Sequence, residues 1–197
     1  MNINEYQNYH ETKAHTSAEF PYNTYLCSIP LDFPGVPLHW HDELELVVIK
    51  RGQGFVSVDF DKRLVHSGDI IIIPPRCLHA IEQDDTFKME YENIIFKPDL
   101  LSSGANDLCM IQYIVPLLDG SLPIEYFLTP ALGSFEALSN CIRQIDLVCA
   151  DQTPGWQLAV KSSLFNFFFL LISERQKKTV STSSNSKSLE KMKTVLK

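Results

Sequence analysis

The sequence predicts a mainly β protein, a sandwich or barrel of short strands followed by two C-terminal α-helices. Three observations lead to this fold class. The 11 prolines and 8 glycines fall mostly between Ile29 and Pro130, where they divide the chain into short apolar runs. Helical spacing of apolar residues begins only after Pro98. A chain of 197 residues with a 45% hydrophobic share is long enough for one core and a short tail.

Apolar runs rich in β-branched and aromatic residues mark the strands, and Gly, Pro and Asp mark the turns. Residues 33–37 break the first run with two prolines around a glycine. Residues 51–54, Arg-Gly-Gln-Gly, predict a hairpin, and Asp59 to Asp61 predicts a turn. The predicted strands are residues 22–31, 44–50, 55–58, 69–73 and 87–96, with one more at His79. In the strand at 87–96, Met89, Tyr91 and Asn93 fall on one face.

Apolar residues recur every three or four positions in the C-terminal half. Residues 107–118 have such spacing, and Thr129 followed by Pro130 predicts an N-cap with proline at the first helical position. A second long helix is predicted over residues 156–175. The first long helix should bury one stripe, consisting of Phe135, Leu138, Ile142, Ile145 and Val148.

The second long helix is apolar on nearly every side over residues 164–172, so it should be covered all round. A membrane span is set aside because Asn166 interrupts the run, Lys161 precedes it, and it is shorter than the roughly 20 residues that a span needs. A small barrel offers only one flank for such a helix. Because burying each large apolar side chain contributes about 1.5–3 kcal/mol, we expect a homodimer whose second subunit covers the other flank.

The charge is distributed unevenly. Residues 174–197 hold seven basic and two acidic residues, a net charge of +5, and the rest of the chain carries −12. A body that acidic repels a phosphate backbone, so it is not expected to bind DNA itself. Residues 179–186, TVSTSSNS, predict a linker. The apolar residues of 189–196 form one helical face that finds nothing here to pack against, so we expect the natural protein to continue after a first domain at 1–178.

Cysteine usage and the N-terminal residues indicate the compartment. The five cysteines are widely spaced and form no CxxC pair, which argues against a disulfide framework or a zinc knuckle. The polar start of the chain does not resemble a signal peptide. We therefore expect a cytoplasmic protein with no membrane partner.

The stretch that carries chemistry begins at His39. Side chains alternate along a strand, so His39, His41 and Glu45 should point to one face, and His79 on a neighbouring strand could join them inside a barrel. Imidazole and carboxylate ligands suit a divalent transition metal such as Zn, Fe, Mn or Ni. The same residues can equally line a pocket for an organic ligand, and we favour that interpretation.

The spacing of these residues resembles the two sequence motifs of the cupin superfamily. The matching residues are His39, His41, Glu45 and Gly52 in the first motif, HxHxxxE with a later glycine, and Gly68, Pro74 and His79 in the second. The glycine that usually stands six residues before the first histidine is absent, and Arg76 and Gln83 stand where a glycine and an asparagine are common. The resemblance implies a cupin-type double-stranded β-helix, or jelly-roll, barrel.

Within the cupins, HWHDELELVVIKRGQG and HSGDIIIIPPRCLHAI resemble the N-terminal domain of AraC-type transcription regulators, over about residues 25–197. In that family the barrel binds a small effector, the following helices form the dimer contact, and helix-turn-helix units after a linker bind DNA. The resemblance implies a sensor that is not an enzyme, with a sugar or related metabolite as effector. Residues 188–197, SLEKMKTVLK, would begin the first helix of the missing DNA-binding domain.

Other functions remain open at this point. The main competitor is a metal-dependent cupin enzyme, an isomerase or dioxygenase, in which His39, His41, Glu45 and His79 hold the ion. The basic helix after a serine-rich linker favours the regulator. A structural protein without a ligand is disfavoured because histidines are costly to bury unless something satisfies them.

Three neighbouring predictions complete the candidate site. Glu43 shares the inward parity and could reach a polar effector near the barrel mouth, or could simply be solvated at the rim. Trp40 has the opposite parity and should face away from the interior. His10, His15 and His66 are expected in surface or loop positions. The candidate pocket residues are therefore His39, His41, Glu43, Glu45 and His79.

Overall fold

The structure is a computed structural model that describes residues 3–102 and 107–195, and within them the side chains of residues 5–102 and 107–175. It divides into two compact units, Met1–Ala131 and Leu132–Lys197. The described strands all lie in the first unit, and the two long helices lie in the second. The predicted fold class, mainly β with two C-terminal helices, is confirmed.

The strands are β1 (Tyr22–Ile29), β2 (Gly35–His39), β3 (Leu44–Val58), β4 (Asp61–His66), β5 (Ile70–Ile73), β6 (His79–Gln83), β7 (Met89–Phe96) and β8 (Phe127–Leu128). The α-helices are α1 (Ile3–Gln7), α2 (Val115–Leu118), α3 (Phe135–Asp151) and α4 (Trp156–Val195). A 3-10 helix covers Pro98–Leu101, and one π-helical turn, Met110–Ile114, leads into α2, so the region predicted as a helix at 107–118 is helical with irregular hydrogen bonding.

Strand β3 joins the two layers of the barrel. Its first half pairs with β5 and β7 in the layer β1-β7-β3-β5-β8, and its second half pairs with β4 and β6 in the layer that also contains β2. Every strand pairing is antiparallel among the described residues. Both layers turn apolar side chains into one core, which includes Val47, Ile49, Val56, Val58, Ile71, Ile73, Ile81, Met89 and Tyr91.

The hairpin predicted at residues 51–54 is wrong, because β3 runs through these residues. The register with β7 shifts between Ile49 and Arg51, which is a β-bulge. Gly52 has φ +77°, and a Cβ at this position would lie 1.8 Å from the Lys88 carbonyl oxygen. Glycine alone tolerates both conditions, so the glycine marks the bend where β3 passes from one layer to the other. The turn predicted at Asp59 to Asp61 does connect β3 to β4.

The break predicted at residues 33–37 is also wrong in part, because Gly35–His39 forms β2. Pro37 has no N–H to donate to a ladder. The pairing of β2 with β6 shifts register between Val36 and His39, so Pro37 lies where the ladder is irregular. The strand resumes at His39, whose partner is His79.

Helix α3 begins at Phe135 with Ser134 as its N-cap residue, so the prediction of a start at Thr129 and Pro130 is wrong. Thr129 directly follows β8, and the residues up to Ser134 form turns. The predicted stripe is confirmed at Leu138, Ile142 and Ile145, which are buried in company with Cys141.

Helix α4 runs from Trp156 to Val195, so its backbone includes residues 179–186, for which the sequence predicts a linker. The packing of 179–197 lies outside the described side chains, and the domain boundary at 178 stays a prediction. The described part buries one stripe, Val160, Leu164, Phe167, Phe168 and Leu171. Leu158 and Phe169 are exposed, so one flank of the helix is not covered within a single chain, which is the flank for which a second subunit was expected.

The segment Trp156–Arg175 has 20 residues, and an 18-residue window within it has a mean hydropathy of 1.3. By length and composition alone the segment could cross a membrane, whereas the apolar run at 164–172 on which the sequence argument rests is shorter. The same length and composition also occur in core helices of soluble proteins.

Candidate functional site

A cavity of about 340 Å³ lies inside the first unit. Apolar side chains from β2, β6 and β7, including Val36, Ile81 and Ile95, form part of its wall. Polar side chains line the remaining part together with Leu26, Cys27 and Phe33, and the polar set includes His39, His41, Glu45 and His79. The fold therefore brings four of the five predicted site residues to one cavity.

His39 and His79 face each other across β2 and β6, with ring centroids 4.0 Å apart. Nδ1 of His39 lies 2.9 Å from the Pro37 carbonyl oxygen, and Nδ1 of His79 lies 2.9 Å from the Cys77 carbonyl oxygen. A carbonyl oxygen can only accept, so each Nδ1 must carry the proton and donate it. Both rings are thereby oriented, and in the neutral form each Nε2 keeps a lone pair for a ligand.

His41 and Glu45 reach the same space by a different path from the one the sequence predicts. They do not share a strand with His39, because β2 ends at His39, His41 lies in the connection and Glu45 is the second residue of β3. Nε2 of His41 nevertheless lies 3.0 Å from Oε2 of Glu45, and Nε2 of His79 lies 3.4 Å from the same oxygen. The short turn between β2 and β3, not strand parity, produces the convergence.

Burial of the cluster formed by the three histidines and Glu45 changes the pKa values of its side chains. Burial alone raises the pKa of Glu45, but the contacts from His41 and His79 outweigh it and hold the pKa well below its usual range. Burial lowers the pKa of His39, and the neighbouring His79 lowers it further. The site thus combines a carboxylate with a neutral imidazole at His39.

Two ring nitrogens of this cluster have unmet hydrogen-bonding capacity. Nδ1 of His41 and Nε2 of His79 are buried and make no hydrogen bond within the described residues. Nε2 of His79 is near enough to Glu45 for an ionic contact, but the geometry is not that of a hydrogen bond. Buried polar atoms without a partner are uncommon in proteins, and here they border a cavity that a ligand could fill.

Glu43 is buried, so the interpretation in which it is solvated at the rim is wrong. Its Oε2 lies 3.7 Å from Nδ1 of His41. Glu43 is not one of the described residues that line the cavity, so it contacts the site through His41.

An N-terminal arm, residues 5–16, covers the mouth of the cavity and was missed by sequence reasoning. Glu11, Lys13 and His15 line this mouth; His15 lies in a loop, as expected, and also borders the cavity. Oε2 of Glu11 lies 2.9 Å from Nε2 of His15 and 3.5 Å from Nε2 of His39. The hydrogen bond with His15 lowers the pKa of Glu11.

Trp40 holds the arm in place. It stacks between Tyr6 and His10, with centroid distances of 4.8 and 4.1 Å, and its indole N–H donates to the Tyr6 carbonyl oxygen at 2.8 Å. Backbone hydrogen bonds also connect Trp40 to Tyr9 and Glu11. The ring lies outside the cavity lining, as its strand parity predicts, and its neighbours His39 and His41 point inward.

The three histidines form a potential metal site, with one ligand atom of each lying within 4.8 Å of the others. Donor atoms around an ion with bonds of about 2.1 Å lie roughly 3.0–3.4 Å apart, in octahedral or tetrahedral geometry. The two distances from Glu45 to His41 and His79 fall in this range. The histidine donor atoms, within 4.8 Å of one another, are spread more widely than this range, so it is the donor types that suit a divalent transition metal.

Residues 25–168 match the family model described as the AraC-like ligand binding domain. An uncharacterized HTH-type transcriptional regulator of Bacillus subtilis, YdeC, is 32% identical over 159 residues, which cover 80% of this chain and 54% of that protein. A second regulator of the same organism, YbfI, is 26% identical over 72 residues, which cover 36% of this chain and 26% of that protein. This chain thus spans about half the length of YdeC.

Among solved structures, a cupin protein from Bacteroides fragilis matches with a TM-score of 0.37 and 22% identity, over 47% of this chain and 75% of that one. A cupin 2 conserved barrel domain protein from Salinispora arenicola matches with a TM-score of 0.35 and 23% identity, over 39% and 64% of the two chains. The family model covers well over half of the sequence, and it includes β2 to β8 with all four clustered side chains. The chain belongs to the AraC-like ligand-binding domain family.

Proposed function

We propose that this chain is the effector-sensing and dimerisation part of an AraC-type transcription regulator, and that it acts in the cytoplasm without catalysing a reaction. The observation that carries the proposal is the cavity in the first unit, in which buried ring nitrogens lack partners within the described residues and a ligand would satisfy them. Relatives named as HTH-type regulators support DNA as the partner of a domain outside this sequence. The effector is a small polar molecule, of the size and hydrogen-bonding character of a sugar or related metabolite.

A sensor works only if its ligand binds one arrangement of the protein better than another. Effector binding would change the packing of the helices after the barrel, or of the segment that follows them. That change would set the spacing of two DNA-binding units in the full-length regulator.

This coupling gives a reciprocal prediction. In the full-length regulator, operator DNA and a ligand that stabilises the barrel against heat should change each other's affinity by the same factor, on the order of 5- to 150-fold. Calorimetric titration of the ligand with and without operator DNA measures the factor, and non-operator DNA of equal length is the control. Equal ligand affinity in all three titrations would contradict the coupling.

The second unit supports a homodimer contact. Leu158, Phe165 and Phe169 are 73%, 41% and 64% exposed, and their spacing of seven and four residues places them on one face of α4. This face is distinct from the buried stripe. Burial of each such side chain contributes about 1.5–3 kcal/mol. A dimer in which a second copy of the chain covers this face would therefore be stabilised.

We therefore expect the substitution Phe169→Ser to weaken dimerisation by about 10- to 100-fold. Sedimentation velocity over a range of protein concentrations measures the effect. The matched control is Phe87→Ser, because Phe87 is 53% exposed but lies in the loop before β7. A wild-type chain that stays monomeric, or equal effects of the two substitutions, would contradict this dimer face.

A metal is a further proposal for the chamber. His39, His41 and His79 with Glu45 would hold a Zn, Fe, Mn or Ni ion, and the ion would supply Lewis-acid polarisation of a bound oxygen group. Such a site also favours the alternative function, a metal-dependent cupin isomerase or dioxygenase. Glu45 would be a ligand, and the carbonyl contacts of His39 and His79 would orient the rings.

The metal proposal predicts one equivalent of Zn²⁺ or Mn²⁺ bound to the purified chain, and a loss of affinity of more than about 100-fold in His79→Ala. Equilibrium dialysis with elemental analysis measures both. His66→Ala is the control, since His66 is a histidine whose side chain is 59% exposed and lies outside the cluster. No stoichiometric binding to the wild type would leave the histidines as pocket lining and remove the metal-dependent enzyme as an alternative.

A further inference from the structure

The carboxylate of Glu11 lies in the mouth of the chamber, where it contacts two of the histidines that line it. Its Oε2 is 2.9 Å from Nε2 of His15 and 3.5 Å from Nε2 of His39. Glu11 and His15 both belong to the arm, so the contact that depends on where the arm is held is the one with His39 of the barrel. A carboxylate of the N-terminal arm therefore occupies a position that the carboxylate of a free ligand could also take.

The surroundings of Glu11 favour an anion. The His15 side chain is 9% exposed, and its Nδ1 is buried without a hydrogen-bond partner in the described part of the chain. Lys13 lines the same mouth, with its ammonium group 5.1 Å from the centroid of the Tyr25 ring. His15 thus contacts the Glu11 carboxylate directly, and Lys13 lines the same cavity.

The inner end of the chamber has the opposite character. The Glu45 side chain is 4% exposed, and its Oε2 lies 3.0 Å from Nε2 of His41. Nε2 of His79 lies 3.4 Å from the same oxygen, and Oδ1 of Asn93 also lines the cavity; neither makes a hydrogen bond within the described residues. Acceptors beside a carboxylate attract hydroxyl donors and repel a second anion. The cavity therefore offers positions for hydroxyl groups beside Glu45 and an anion position where the Glu11 carboxylate lies.

We propose that Glu11 is a built-in competitor that occupies the carboxylate position of the effector, and that the effector is a small hydroxy acid. The inference rests on the proposed effector-sensing function and names the chemical class of its ligand. The carboxylate of the effector binds His15 and Lys13 in place of Glu11, and its hydroxyl groups donate to Glu45 and Asn93. Neutral polyols lack the group that competes with Glu11.

Competition by Glu11 lowers the apparent affinity for the effector. The apparent affinity equals the intrinsic affinity multiplied by the fraction of molecules in which Glu11 has left the position. Removing the charge of Glu11 should therefore tighten the binding of a hydroxy acid, and it should not tighten the binding of the corresponding amide. Gluconate and gluconamide form one such pair of probes, and lactate and lactamide form a smaller pair. Each pair differs only in the group that would lie at the mouth.

The test compares the wild type with Glu11→Gln by ligand-observed NMR titration. We expect both hydroxy acids to bind Glu11→Gln on the order of tenfold more tightly than the wild type, with little change for the amides. The control is Glu19→Gln, which removes an exposed carboxylate from the segment that follows the arm and should leave all affinities unchanged. Glu11→Ala serves as a second variant if Glu11→Gln folds poorly by circular dichroism.

The outcomes separate the inference from the function on which it rests. Unchanged or weaker binding of the two hydroxy acids to both Glu11 variants would overturn the inference. If sorbitol or the amides then bind the wild type and lose this binding when His79 is substituted, the effector-sensing function stands and its ligand is neutral. If no probe of any charge bound the wild type or the variants, both the inference and the chamber's sensing role would be contradicted.

Discussion

The burial of Glu45 is the constraint on which the rest of the site depends. A carboxylate removed from water is stable only when polar or charged partners surround it, and His41 and His79 provide them at 3.0 and 3.4 Å. Those rings must in turn be held, and the carbonyl oxygen of Cys77 accepts from His79. Apolar side chains could not fill the same space without leaving these groups unsatisfied, so the centre of the barrel remains a chamber.

The same elements that bury Glu45 also connect the chamber to the arm. His39 and His41 point inward, and Trp40 between them stacks on the arm from the outside. A ligand that moves His39 or His41 moves a residue adjacent to Trp40, which contacts the arm. A ligand that displaces Glu11 moves a residue of the arm itself. The position of the arm is thus physically linked to what the chamber contains, which is the property that a sensor needs.

Much of this could be predicted from the sequence, and the failures have identifiable causes. The spacing of the residues predicted one cluster, formed by His39, His41, Glu45 and His79. The strand parity given as the reason is wrong, because the connection after β2 brings His41 and Glu45 to His39. Gly52 reads as a hairpin residue in sequence but marks a bulge, since only the Lys88 carbonyl oxygen, 36 residues away, shows why glycine is needed. The start of α3 was placed too early because the turn chemistry of Thr129 and Pro130 fits an N-cap equally well.

The arm was missed for a different reason. Residues 5–16 are polar and have neither a 2-residue nor a 3.6-residue apolar period, so nothing local predicts that they return to the barrel. Glu11 and His15 gain their role only through tertiary contacts with Trp40, Tyr25 and His39. The sequence did indicate that one flank of α4 would be uncovered in a single chain, but it carries no sign of which residues form that flank, and Leu158, Phe165 and Phe169 do so.

The convergence of the histidines inside the barrel is tested most directly by NOE spectroscopy of the imidazole ring protons in ¹⁵N-histidine-labelled protein. The account predicts strong cross-peaks between the rings of His39 and His79, whose centroids are 4.0 Å apart, and weaker ones to His41. It also predicts that Nδ1 carries a proton in both the His39 and the His79 ring. Absent cross-peaks, with ring shifts typical of solvent-exposed histidine, would contradict the existence of the chamber.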